Sequence, residues 1–162
     1  MPLSSPGPGV PGAHLVLEPN ARHVGQARRF AVEVTEQLGG DEQAQDVVRS
    51  LVSELVTNVV LHAGTEVVIT VTDGDEHVRV EVADGSPALP LQRRVDGAST
   101  TGRGMRLLRT LSVASGFEAD TTVAPTGKLV WFTVCKTNGA GARAAVAAAA
   151  TNLFGAEWEE AR

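Results

Sequence analysis

Three small groups of residues in this sequence have types and spacing that could do chemistry. Glu54, Asn58 and His62 recur at i, i+4 and i+8. On an α-helix that spacing lays them along one side. A carboxylate and an amide oxygen one turn apart suit a hard cation and its water, because magnesium takes oxygen ligands. The same stripe also fits the solvated edge of an amphipathic helix. Asp84-Gly85 closes a run of alternating valines. A carboxylate at a strand end can accept a hydrogen bond from a ligand amino group while the glycine turns the chain, and the pair is equally at home in an ordinary turn. Thr100-Thr101-Gly102-Arg103-Gly104 precedes a short apolar helical pattern. Free backbone N–H groups at a helix start attract phosphate, although such a segment is also simply how many helices begin.

These groups need elements to hold them. Asn20 is a candidate N-cap for a helix over 21–38, with Val24, Ala27, Ala31 and Val34 on its apolar side and Gly39-Gly40 beyond its end. Val48, Leu51, Val52, Leu55, Val56 and Val59 predict a second helix over 41–63, ended by Gly64. Glu54, Asn58 and His62 border its buried face. Alternation of Val67, Ile69 and Val71, then of Val78, Val80 and Val82, predicts strands over 66–72 and 77–83, with Asp73-Gly74 as the hairpin turn. Residues 84–103 form a Gly-, Pro- and Ser-containing loop of a length usually associated with function or disorder. A helix over 104–112 and strands over 117–121 and 129–135 complete the pattern, and His14 to Leu17 reads as an edge strand. The order (β)ααββ-loop-αββ implies an α+β two-layer sandwich, with helices on one face of a mixed, mostly antiparallel sheet.

The chain has 162 residues, which fits one domain with enough apolar residues (43%) for a core. We divide it into a Pro/Gly/Ser-rich arm over 1–13, a domain over 14–136 and an Ala-rich tail over 137–162. The net charge of -5 disfavours a general nucleic-acid binder, which needs basic residues against phosphate. One cysteine, Cys135, excludes an internal disulfide and a multi-cysteine zinc site. No segment reaches the roughly 20 apolar residues of a membrane helix, and no secretion signal opens the chain, so a cytoplasmic location is expected. There is no GxxxxGK[ST] loop, GxSxG elbow or HExxH helix.

The order of the motifs is more specific than any one of them. SELVTNVVLHA, VEVADGSP, a long loop, TGRGMRLLRTLS and GKLVWFTV together resemble the Bergerat (GHKL) ATP-binding fold. More closely, they are similar to the anti-sigma-factor serine kinases and related actinobacterial regulatory ATPases, over about residues 15–135. The resemblance implies roles. Glu54 would be the general base towards an attacking hydroxyl, and Asn58 the ligand of a Mg2+ bridging the phosphates of ATP. Asp84 would read the adenine amino group, and Gly102 and Gly104, with Arg103 between them, would meet the phosphates at a lid hinge. Gly127 would enter the last strand beside adenine, and His62 would lie near the nucleotide. Arg93, Arg94, Arg103 and Arg106 surround this lid and can neutralise phosphate or simply face solvent.

The implied activity is a protein serine/threonine kinase. Such a protein holds a sigma factor, phosphorylates an antagonist protein and controls transcription by partner switching; homodimers are frequent in the family. The alternative is a non-catalytic interaction module with a degenerate nucleotide site. Departures bear on that choice. Ser86-Pro87 replaces a glycine-containing turn after Asp84, Ser115-Gly116 stands where a Trp-Gly pair is frequent, and Lys128 follows Gly127 where threonine is common. Lysine cannot accept a hydrogen bond, so nucleotide affinity and choice are the properties most exposed to these changes. Trp131 and Cys135 read as strand packing residues.

Overall fold

The computed structural model describes residues 12–87 and 111–137. The first strand, β1 (Gly12–Leu17), alternates so that Leu15 and Leu17 are buried. It starts two residues inside the segment expected to be an arm, because Gly12 and Ala13 pair with Thr72 and Val71 of the next strand. Asn20 caps as its position predicts: its Oδ1 accepts the Arg22 N–H at 3.1 Å. A 3-10 turn (Ala21–His23) then leads into α1 (Val24–Gln37). Ala27, Phe30, Ala31 and Val34 form its buried stripe at i, i+3, i+4 and i+7. Thr35 is buried on the same helix, and its hydroxyl is satisfied by donating to the Ala31 carbonyl at 2.7 Å.

The second helix, α2 (Glu42–Asn58), is capped by Asp41, whose Oδ1 accepts the Ala44 N–H at 2.8 Å. Ala44, Val48, Leu51, Val52, Leu55 and Val56 are its buried face. The expected helix over 41–63 is not uniform. After Asn58 the chain widens into a π turn (Val59–Ala63), closed by the Gly64 N–H donating to the Val59 carbonyl at 2.9 Å. Gly64 has φ of 64°, a left-handed conformation that costs glycine nothing and ends the helix.

Four strands follow: β2 (Val67–Gly74), β3 (His77–Asp84), β4 (Ala114–Asp120) and β5 (Gly127–Cys135). With β1 they make a five-stranded sheet in the order β1-β2-β3-β5-β4. Among the described residues every pairing is antiparallel, in line with the mostly antiparallel sheet expected. The β2–β3 hairpin also turns two residues later than Asp73-Gly74. Gly74 is itself paired with His77, and Asp75-Glu76 is the loop. Asp75 takes φ of 62°, which aspartate tolerates better than most residues.

Both helices pack on one face of the sheet. Val67, Ile69 and Val71 of β2, Val78, Val80 and Val82 of β3, and Val130, Phe132 and Val134 of β5 meet them in one core. Each such side chain adds roughly 1.5–3 kcal/mol when taken from water. The result is the α+β two-layer arrangement that the alternating and helical periods imply.

Candidate functional site

The helix-facing stripe of β3 runs Val78, Val80, Val82 and then Asp84. The same stripe of β5 begins at Lys128 and continues through Val130, Phe132 and Val134. Asp84 and Lys128 are directly opposite in the antiparallel register. Period-two alternation therefore puts a carboxylate and an ammonium at the end of an otherwise apolar stripe.

They meet there. The Lys128 Nζ lies 3.0 Å from Asp84 Oδ1 and 2.9 Å from Oδ2. The Ser86 N–H donates to Asp84 Oδ1 at 2.8 Å, which ties the chain leaving β3 back onto the carboxylate. Lys128 Nζ also reaches the Ser86 carbonyl at 3.4 Å, a long contact. Asp84 is 2% exposed and Lys128 is 7% exposed, so this is a buried ion pair. Charges at such depth are held only where they are paired and hydrogen-bonded.

Gly127 serves the same corner by being small. A Cβ on it would stand 2.3 Å from the Asp84 carbonyl oxygen and 2.9 Å from that of Asp120. Only glycine lets β5 enter between those two backbones. Gly85 is fixed by its N–H donating to Thr65 Oγ1 at 2.8 Å.

Thr65 in turn joins this corner to α2. It stands just after Gly64 in the short link from the π turn into β2, and Val67 at the start of β2 is opposite Asp84. The C-terminal end of α2 and the C-terminal end of β3 are thus at the same end of the sandwich. Glu54 and Asn58 lie on the regular α-helical part of α2, one turn apart and half-buried. His62 lies in the π turn and is exposed. The wider turn breaks the i, i+4, i+8 regularity between Asn58 and His62. Gly102, Arg103 and Gly104 lie outside the described residues, as do Arg93, Arg94 and Arg106.

The Nδ2 of Asn58 is buried and has no hydrogen-bond partner. An unsatisfied buried amide costs free energy, and such groups in native sites are typically completed by a ligand, ion or water. A half-turn of the amide exchanges its nitrogen and oxygen, so the position can offer either a donor or an oxygen ligand. Among the described residues no group of three or more His, Cys, Asp or Glu could hold a metal ion. Magnesium at a phosphate site needs only one or two protein oxygens, with substrate phosphates and water supplying the rest. The Asn58 amide oxygen is of the type that cation takes.

Two features were not foreseen from the sequence. The pairing of Lys128 with Asp84 was signalled by two charged residues at the facing ends of strands whose other inward positions are apolar. Thr65 carried no signal beyond its place after the helix-ending glycine.

The fold and this corner define a class: a two-layer α+β architecture with a carboxylate at the end of a central strand and a helix bearing polar residues at the same end. Residues 17–134 match the histidine kinase-like ATPase domain, and the chain belongs to that family. It is a GHKL-type ATPase domain; such domains bind ATP, typically with magnesium. Comparison with curated proteins gives no match. No helix among the described residues is long and apolar enough to cross a membrane.

Proposed function

We propose that this chain is an ATP-binding regulator of the anti-sigma-factor kinase type. It would act in the cytoplasm, bind Mg-ATP, hold a sigma factor, and transfer the γ-phosphoryl group to a serine or threonine of an antagonist protein. The observation that carries this reading is the unpartnered amide of Asn58, one helical turn from Glu54, at the end of the sandwich that also holds Asp84 and Gly127.

Phosphoryl transfer asks a protein for positioning and charge neutralisation more than for covalent chemistry. Asn58 would hold the magnesium, whose charge offsets that of the phosphates. Glu54 would accept the proton of the incoming hydroxyl as its oxygen bonds to the γ-phosphorus and the bond to the ADP oxygen breaks. Gly127 keeps the wall of the base site thin, since any side chain there would collide with Asp84 backbone.

Titration calorimetry of Mg-ATP, followed by transfer of labelled phosphate to candidate antagonists, tests the proposal. Saturable binding that is lost in Asn58→Ala, with transfer lost in Glu54→Gln while binding persists, is the expected result. Absence of binding at millimolar Mg-ATP would overturn it. A second reading has its own observation. The Asp84–Lys128 pair already satisfies the carboxylate expected to read adenine, which favours a non-catalytic interaction module with an altered nucleotide site. Binding without phosphoryl transfer to any antagonist would select that reading.

A further inference from the structure

We propose that Lys128 sets the base selectivity of this nucleotide site, by holding the Asp84 carboxylate in place of a base amino group. The inference rests on the ATP-binding reading above. Family resemblance assigns Asp84 to the adenine amino group, but that carboxylate is already engaged. Lys128 Nζ contacts both its oxygens, at 3.0 and 2.9 Å, and the Ser86 N–H takes Oδ1 as well. A carboxylate offers about four lone-pair positions; three are used here, and the fourth lies on Oδ2, the oxygen that the ammonium holds at 2.9 Å.

Competition for the carboxylate is unequal. Both donors would meet an ionised acceptor, but the ammonium also carries the full opposite charge, and at this depth that attraction favours lysine over a neutral amino group. A base amino group that displaced it would leave a lysine side chain only 9% exposed without its counter-charge. Desolvated charge without a partner is among the costliest states a protein can hold. The register reinforces the arrangement: Asp84 and Lys128 are cross-strand neighbours on one sheet face, so the pair is built into the β3–β5 ladder.

A site that spends a buried hydrogen bond on a substrate group rejects analogues lacking that group strongly. Here that discrimination is surrendered. The site retains what the nucleotide's phosphates and the apolar faces of a purine provide, and the 6-amino group goes unread. Lys128 is therefore a specificity-determining residue, and its replacement by threonine should restore reading of the amino group by Asp84.

The test compares Mg-ATP with the magnesium complex of purine riboside triphosphate, which is ATP without its 6-amino group. The wild-type protein should bind both with Kd values within about threefold of each other. Lys128→Thr should prefer ATP by about tenfold or more, and Lys128→Thr with Asp84→Asn should lose that preference. A tenfold or larger ATP preference in the wild-type protein would overturn the proposal, and this comparison does not depend on any variant folding. A Lys128→Thr protein that folds, by its thermal unfolding transition, yet binds both triphosphates equally would also overturn it. If wild type and Lys128→Thr bind neither triphosphate at millimolar concentration, the ATP-binding reading itself fails, and this inference with it.

Discussion

Strand β5 has a lysine near each end, and each reaches an aspartate of the β2–β3 hairpin. Lys136, just past β5, pairs with Asp73 of β2; Lys128, one residue into β5, pairs with Asp84 of β3. The chemistry is the same and the surroundings are not. At the hairpin end the side chains are 15% and 25% exposed, so water can reach both charges. The backbone there does much of the fastening: the Lys136 N–H donates to the Glu76 carbonyl at 2.9 Å, and its own carbonyl accepts the Asp41 N–H at 2.7 Å. That seam joins the start of α2, the hairpin and the end of β5. At the opposite end the side chains are 9% and 3% exposed, and the charges depend on each other. One pair trims the edge of a fold. The other holds the carboxylate that the resemblance assigns to the base, and the proposed leverage of Lys128 over a ligand rests on its depth.

The comparison is broken most directly at the deep pair. Lys128→Met leaves Asp84 buried without its counter-charge and should lower stability by about 3 kcal/mol, as breaking buried pairs does. The double variant Lys128→Met/Asp84→Leu should recover most of that loss, because removing both charges also removes the desolvation cost. Denaturant unfolding of the single and double variants checks both values. A loss below about 1 kcal/mol for Lys128→Met would mean that the pair is solvated in the protein, like its counterpart at the hairpin.

Most of this architecture was legible in the sequence because burial leaves a period. The valines of β2 and β3 and the helical stripe from Val48 to Val56 gave the layers, and Asn20 gave its own cap. What stayed hidden depended on contacts between distant segments. The hairpin loop fell on Asp75-Glu76, because β2 and β3 stay paired through Gly74 and His77 and Lys136 holds Asp73 within the ladder. The π turn after Asn58 is a backbone choice with no compositional mark. For the candidate site, motif order nominates Glu54, Asn58, Asp84 and Gly127, but the engagement of Asp84 by Lys128 required the β3–β5 register, which sequence spacing does not supply.

A middle-sized effect separates the site corner from the core beneath it. Thr65 Oγ1 accepts the Gly85 N–H and donates to the Glu66 carbonyl at 3.1 Å. Thr65→Val keeps the shape and strands the Gly85 N–H, at a cost of about 1.5 kcal/mol. Amide hydrogen exchange should show the loss of protection concentrated at Gly85 and Ser86. Uniform loss across the sheet would instead make Thr65 a general stabiliser rather than the tie between the α2 link and the end of β3.

The smallest expected effect is at the hairpin end, and it sharpens the contrast most. Lys136→Met removes the same charge type from the same strand as Lys128→Met. Water can solvate the remaining Asp73 carboxylate, and the backbone bonds of residue 136 to Glu76 and Asp41 survive the substitution. The cost should be about 1 kcal/mol, the scale of a partly exposed pair. It should fall further at high salt, since screening reaches exposed charges more than buried ones. Nucleotide affinity should not change, because this seam lies at the opposite end of β5 from Asp84. Equal stability losses for Lys136→Met and Lys128→Met, with the same salt dependence, would show that burial does not separate the two pairs. Unequal losses, only one of them salt-sensitive, would confirm that depth within one sheet separates two otherwise alike Lys–Asp contacts.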